Sequence, residues 1–367
     1  MSRSLATLAL LAGVLLAPGT LAAPRRTETV VFIVSDGLRW QEVFSGAERA
    51  LLEDAEANWT PVPELQRKFW HEDPHQRRQL LLPFIWGTIV THGQLLGNRE
   101  LGSEVTLSNR FWFSYPGYNE MASGLADPRI DRNDFGPNPN VTVYEWLNGQ
   151  PGLRGRVEVF AAWNAFNDIF SPGRSHLPVR AGATLVDSAD HTPGGRLLAE
   201  LYRDTTRLQG EDALDSFVHV ALRRHLQQHR PRVLFVSYGG ADLWAHLGRY
   251  DAMLENAHSF DGYVADLWRQ MQALPEYRGR TTFILTCDHG RGSGPQLWKD
   301  HGVRQPGSDQ TWIAVMGPDT LPLGERADTA PATQAQLAAT VAELLGRDYR
   351  AFKPAAAPSL LPLLAPR

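Results

Sequence analysis

The sequence predicts an α/β sandwich built on a mostly parallel central sheet, and three short apolar runs carry that prediction. Val30–Val34, Val233–Val236 and Thr281–Thr286 are continuous β-branched, aliphatic or aromatic runs, each followed by small polar residues and glycine. Uninterrupted runs of this kind read as strands covered on both faces, as in a parallel sheet under helices. Between and after them lie helical patterns at 194–229, 251–275 and 332–346, with leucines and valines spaced among charged residues. Strands alternating with helices give the layered α/β class.

Each run delivers an aspartate at or just after its carboxyl end. These are Asp36 after the first, Asp242 after the second and Asp288 after the third. Ligands of open α/β sheets bind at the carboxyl ends of the strands. One aspartate there is ordinary turn or cap chemistry; three on three strands point to a metal site. Residues 41–110 and 125–195 are Pro/Gly-interrupted excursions, and the Ala/Pro/Leu-rich tail from Pro354 reads as an extended closing segment.

The termini and composition bound the class. Arg3, the apolar stretch Leu5–Ala17 and the small residues to Ala23 have the three-part layout of a secretory leader, so 1–23 is expected to be removed. Arg25 and Arg26 follow the apolar stretch and make no twin-arginine signal. About 340 residues remain, read as one hydrolase-sized domain over 24–367 that is exported, with no stable membrane insertion. Apolar content of 43% and charged content of 21% are those of a globular protein with a real core. A net charge of −4 gives no electrostatic reason for a nucleic-acid partner. The single cysteine, Cys287, excludes an internal disulfide framework, so core size or bound metal must stabilise the exported chain.

The histidines complete the metal set. Asp242 and His246 are four apart, on one face of a helix starting there. Asp288 and His289 are adjacent on a turn leaving a strand, and His301 lies in the polar loop Lys299-Asp-His-Gly302. The other nine of the twelve histidines carry no such pattern. Three carboxylates with three imidazoles suit zinc, with manganese or iron also fitting. Ser114, after an apolar run and before Pro116-Gly117, is the candidate nucleophile, with a helix expected from near Asn119 aiming its N-terminus back at the serine.

The ordered set Asp36, Ser114, Asp242-x-x-x-His246, Asp288-His289-Gly290 and His301-Gly302 resembles the alkaline phosphatase superfamily and covers almost the whole mature chain. The block Ser114-Tyr-Pro-Gly-Tyr-Asn-Glu-Met-Ala-Ser-Gly124 resembles the nucleophile segment of its nucleotide pyrophosphatase/phosphodiesterase branch. The resemblance implies a three-layer α/β/α sandwich and two divalent ions. Asp242, His246 and His301 would hold one; Asp36, Asp288 and His289, with Ser114, would hold the other. It implies hydrolysis of a small phosphate ester, mono- or diester, through a phosphoseryl intermediate. In that branch an asparagine about twenty residues past the nucleophile steadies the phosphoryl oxygens; Asn138 and Asn140 are the candidates, at a longer spacing. Sulfatases share the superfamily but carry an arginine where Tyr118 stands here. Transfer of a phospho group on the same scaffold and a non-catalytic metal-binding role are the remaining alternatives. Trp40, Trp112, Tyr115 and Tyr118 either stack on a substrate ring or pack structurally.

Overall fold

The computed structural model describes residues 25–186, 190–360 and 363–364. The leader expected over 1–23 lies outside the described residues. Strands run in chain order as β1 (Thr29–Ser35), β2 (Gly93–Leu96), β3 (Val105–Thr106), β4 (Val157–Ala161), β5 (Val179–Ala181) and β6 (Val233–Tyr238). They continue as β7 (Thr281–Thr286), β8 (Gln310–Thr311), β9 (Ile313–Met316), β10 (Gly324–Glu325) and β11 (Ala332–Thr333). Eight form the main sheet in the order β10-β2-β9-β7-β1-β6-β4-β5, and β11-β3-β8 form a small second one. All neighbours in the main sheet pair in parallel except around β9, which runs against both β2 and β7. The expected mostly parallel sheet is therefore present.

β1 lies between β6 and β7, with Ser35 level with Tyr238 and Val34 level with Thr286. Every β1 residue is buried. Its alternate side chains enter different cores, as the two-residue period of a strand requires. Val31 and Ile33 join helices Asp215–Gln228 and Tyr250–Ala273 on one face. Val30, Phe32 and Val34 join helices Ser114–Ser123 and Gln336–Leu344 on the other. Two cores on two faces make the three layers. Leu360, Leu363 and Leu364 of the tail are buried in the second core.

Several sequence expectations shift. The pattern read over 194–229 forms two helices, Pro193–Asp204 and Asp215–Gln228. The polar stretch between them offers no apolar face for a helix to bury. The helix read from 332 starts at Gln336, because Ala332–Thr333 pairs with β3. The excursions at 41–110 and 125–195 contribute β2, β4 and β5 to the main sheet. Those strands were hidden by polar interruptions. Gln94 of β2 is buried and donates to the Leu363 carbonyl at 3.3 Å; Glu158 of β4 is held by Arg180 at 2.7 Å and His225 at 2.8 Å. No helix among the described residues is long and apolar enough to cross a membrane.

Phe235 of β6 is the hub of the second core. Its ring stacks on Phe32 at 5.5 Å and meets Phe170 at 4.9 Å and Tyr144 at 5.3 Å. Phe235→Ala is expected to cost about 3–5 kcal/mol in denaturant unfolding. Asp261 gives a pH test. Burial pushes its carboxyl from 3.8 up to about 6, against hydrogen bonds from the Phe84 and Ile85 N–H groups. The folded state therefore holds the proton longer than the unfolded chain. Stability from this group is fully present below the unfolded value and is lost as pH rises through about 6. Asp261→Asn should flatten the wild-type slope between about pH 4 and 6.5, a difference on the order of 2–3 kcal/mol. Parallel slopes in the two proteins would refute this.

Candidate metal centre and nucleophile

The three aspartates converge because their strands are neighbours. Asp36 follows β1, and its backbone N–H donates to the Tyr238 carbonyl of β6 at 2.9 Å. Gly37 then turns with a φ of 60°, and its N–H donates to Asp288 Oδ1 at 3.0 Å. A side chain here would be strained by that φ and would meet Asp242 Oδ1 at 2.9 Å, so glycine is required twice over. Asp242 and His246 sit on helix Gly240–His246 as expected, one turn apart. That helix is anchored by buried Asp215, whose carboxylate accepts the Gly239 N–H at 2.8 Å and the Gly240 N–H at 3.1 Å.

Ser114 arrives from the opposite layer. The helix expected from near Asn119 begins at Ser114 itself, so the serine lies in its first turn. Pro116 is compatible with a first turn, where a missing N–H costs nothing. Gly117 lets that turn pack on the end of β7, since a Cβ there would lie 2.3 Å from the Asp288 carbonyl oxygen. Trp112, two residues upstream, holds a φ of 56°. Its loop is tied down by Glu120, which accepts from Ser108 N at 2.7 Å and Asn109 N at 2.8 Å.

The seven proposed metal and nucleophile residues come together. Ser114 Oγ is 3.3 Å from His289 Nε2, which also lies 3.4 Å from Asp36 Oδ1 and 3.5 Å from Asp288 Oδ2. His289 Nδ1 donates to the Gly290 carbonyl at 2.9 Å, which leaves the Nε2 lone pair facing the carboxylates. On the other side, His246 Nε2 is 3.0 Å from His301 Nε2 and 3.3 Å from Asp242 Oδ2. Ligand atoms of Asp242, His246 and His301 lie within 4.8 Å of one another, as do those of Asp36, Asp242 and His289. Asp242 thus faces both groups, where the resemblance assigned it to one ion only.

The electrostatics call for cations. Burial, then the charge of Asp242, pushes the Asp36 carboxyl well above its ordinary range, and burial with Asp36 does the same to Asp288. Asp36 Oδ1 and Asp288 Oδ2 are buried without a hydrogen-bond partner. Asp242 goes the other way: burial opposes its charge, but the Arg291 guanidinium bonded to Oδ1, helped by His246 and His301, holds it well below. Burial and His289 press His301 down to about 2. Orphaned carboxylate oxygens facing imidazole nitrogens fit divalent metal ions.

Asn138 and Asn140 are not among the residues lining the cavity beside Ser114. Asn138 Oδ1 accepts the Asn140 N–H at 2.9 Å, and Asn140 Nδ2 donates to Asn119 Oδ1 at 3.1 Å and Asp127 Oδ2 at 2.8 Å. Asn133 does line the cavity, and its Oδ1 accepts the Tyr115 N–H at 3.0 Å. It is closer to Ser114 in sequence than either candidate, and spacing alone could have found it. Arg291, directly after Asp288-His289-Gly290, was also missed. Tyr115 and Tyr118 are fully buried, and Trp40 and Trp112 do not line the cavity. Tyr118 hydroxyl donates to Asp36 Oδ2 at 2.8 Å and sits 2.9 Å from Ser237 Oγ, so it fixes the orientation of the Asp36 carboxylate.

No protein-family model and no curated protein matches the sequence. In three dimensions the chain shares its fold with solved structures of an alkaline phosphatase, a putative sulfatase and a phosphonate monoester hydrolase. The chain is similar to a putative sulfatase from Bacteroides thetaiotaomicron, with TM-score 0.60, 12% identity, and 92% of this chain on 74% of that one. It is similar to the alkaline phosphatase PafA, with TM-score 0.59, 10% identity, and 94% of this chain on 100% of that one. A third is the phosphonate monoester hydrolase of Agrobacterium radiobacter, at TM-score 0.53 and 13% identity, with 92% of this chain on 77% of that one. At these identities the likeness is one of fold, and it does not select the phosphodiesterase branch.

Because Tyr118 fixes Asp36, Tyr118→Phe should weaken zinc binding roughly 10–100-fold, the usual cost of losing a partner behind a ligand. Chelator competition measures it. Unchanged affinity would show that Tyr118 serves the core alone.

Proposed function

We propose that this chain is an exported, metal-dependent phosphate-ester hydrolase that works through Ser114. The observation that carries the reading is the placement of Ser114 Oγ, 3.3 Å from His289 Nε2, beside two orphaned carboxylate oxygens at the end of an open cavity. Asp242, His246 and His301 would hold one divalent ion, and Asp36, His289 and Asp288 the other, with Asp242 positioned to bridge; zinc suits the set and manganese also fits. Two such ions would supply Lewis-acid polarisation and charge neutralisation for an in-line displacement.

The chain's own residues do the rest. Ser114 Oγ gives up its proton and bonds phosphorus while the bond from phosphorus to the departing alcohol oxygen breaks. That oxygen takes up a proton and leaves. Water then attacks the phosphoserine, the Oγ–phosphorus bond breaks and Ser114 regains its proton. With its Oδ1 fixed by the Tyr115 N–H, Asn133 is the asparagine best placed to steady the phosphoryl oxygens. Arg174 NH1 bonds the Asn138 carbonyl, and its NH2 donates to that of Asn140 at 3.0 Å, so both asparagines belong to the loop's own framework.

A sulfatase is the competing reading, favoured by the likeness to a putative sulfatase. Against it stands Tyr118, sealed in the core where the sulfatase motif has an arginine. p-Nitrophenyl phosphate, bis-p-nitrophenyl phosphate and p-nitrophenyl sulfate decide between them. Turnover of a phosphate ester should fall at least about a thousandfold in Ser114→Ala and vanish on chelation. Dominant sulfate turnover by the wild type would overturn the assignment.

A further inference from the structure

The cavity opening from Ser114 has a volume of about 650 Å³, far more than a phosphoryl group needs. Its walls are acidic and aromatic. Asp168 and Asp212 line it with Trp163, Trp244 and Tyr263, and no lysine or arginine among the described residues does. The Asp168 carboxylate enters no ion pair among the described residues, although its charge is felt by the Tyr115 hydroxyl. Asp212 Oδ1 accepts the Asn164 N–H at 2.8 Å, and Arg207 NH1 donates to the Asp212 carbonyl at 3.3 Å, so this second carboxylate is partly offset while Asp168 is not. Trp163 is a fixed surface, packed edge-on against Tyr115 at 6.5 Å and Phe166 at 6.2 Å.

This pattern sorts substrates by charge. A second phosphate, a nucleotide's phosphate chain or a sulfated sugar would meet the Asp168 carboxylate, which has no ion-pair partner among the described residues, a repulsive arrangement at short range. A neutral alkyl group would leave the carboxylates unused. A cationic amine gains from them and from the face of a tryptophan. Resting on the phosphate-ester reading, we propose that the group esterified to the phosphate is an organic cation of the amino-alcohol type, seated on Trp163 beside Asp168. The substrate is then a zwitterion, its phosphate at the metal centre and its ammonium group at the acidic wall.

The test compares kcat/KM for p-nitrophenyl phosphorylcholine with that for methyl p-nitrophenyl phosphate, in wild type and Asp168→Asn. The choline ester should be preferred at least tenfold by the wild type, and the preference should shrink roughly tenfold in Asp168→Asn and fade as salt rises. Equal turnover of the two esters, or a preference unchanged in Asp168→Asn, overturns the proposal while leaving the hydrolase reading intact. If neither diester is turned over while p-nitrophenyl phosphate is, the hydrolase reading stands as a monoesterase; if no phosphate ester is turned over, that reading fails. In both cases binding still judges the wall. Phosphocholine should quench tryptophan fluorescence saturably in metal-loaded Ser114→Ala, and the quench should weaken when Asp168→Asn is added. Phosphatidylcholine vesicles and glycerophosphocholine, offered in parallel, separate a lipid headgroup from a soluble ester as the source.

Discussion

Mutual repulsion among three buried carboxylates is the constraint on which the rest of this structure depends. β6, β1 and β7 are adjacent and parallel, so their carboxyl ends lie together, and Asp36, Asp242 and Asp288 follow from them. Three negative charges out of water are tolerable only with compensation. The chain supplies one cation of its own, Arg291, and spends it on Asp242. Asp36 and Asp288 are left facing the imidazole lone pair of His289. The sheet register therefore builds a site whose charge has to be completed from outside.

Holding such a site together requires that the backbone around it be anchored. The fold uses one device repeatedly: a buried carboxylate that accepts two or more backbone N–H groups from a distant loop. Asp215 holds Gly239 and Gly240, Glu120 holds Ser108 and Asn109, and Asp251 holds Trp59 and Thr60. Asp319 does the same for Arg26 and Thr27 at the start of β1. Hydrogen bonds to charged groups are stronger than neutral ones, and all but the Glu120 clamp, which reaches back only 11 and 12 residues, join parts far apart in sequence. In a chain whose single cysteine is buried and free, these clamps do the long-range tying that disulfides would otherwise do.

What the sequence revealed followed from unbroken patterns. The three central strands were legible because nothing polar interrupts them, and the metal set because aspartates at their ends cannot be explained by packing. β2 and β4 were not legible because Gln94 and Glu158 break their apolar runs, each polar group being satisfied only by residues far away in the chain. The first turn at Ser114 was missed because Pro116-Gly117 reads locally as a turn; only contact with β7 makes the glycine helical. Asn133 was passed over for two asparagines further on, although its spacing from Ser114 is nearer to twenty residues than theirs; that it lines the cavity while they do not is a tertiary fact.

The same charge excess couples metal and substrate. A phosphate ester is an anion, and the bare ligand set, with three carboxylates against Arg291 alone, would repel it. On the proposed reading, two divalent ions would reverse the sign at that end of the cavity and leave the far wall, at Asp168, negative. The loaded cavity would then be a dipole, positive at Ser114 and negative across from it. Loading and substrate binding are linked, because whatever strengthens one must strengthen the other by the same free energy. On that reading, affinity for an anion would be set first by how well Tyr118 and the Gly37 N–H hold two carboxylates in place.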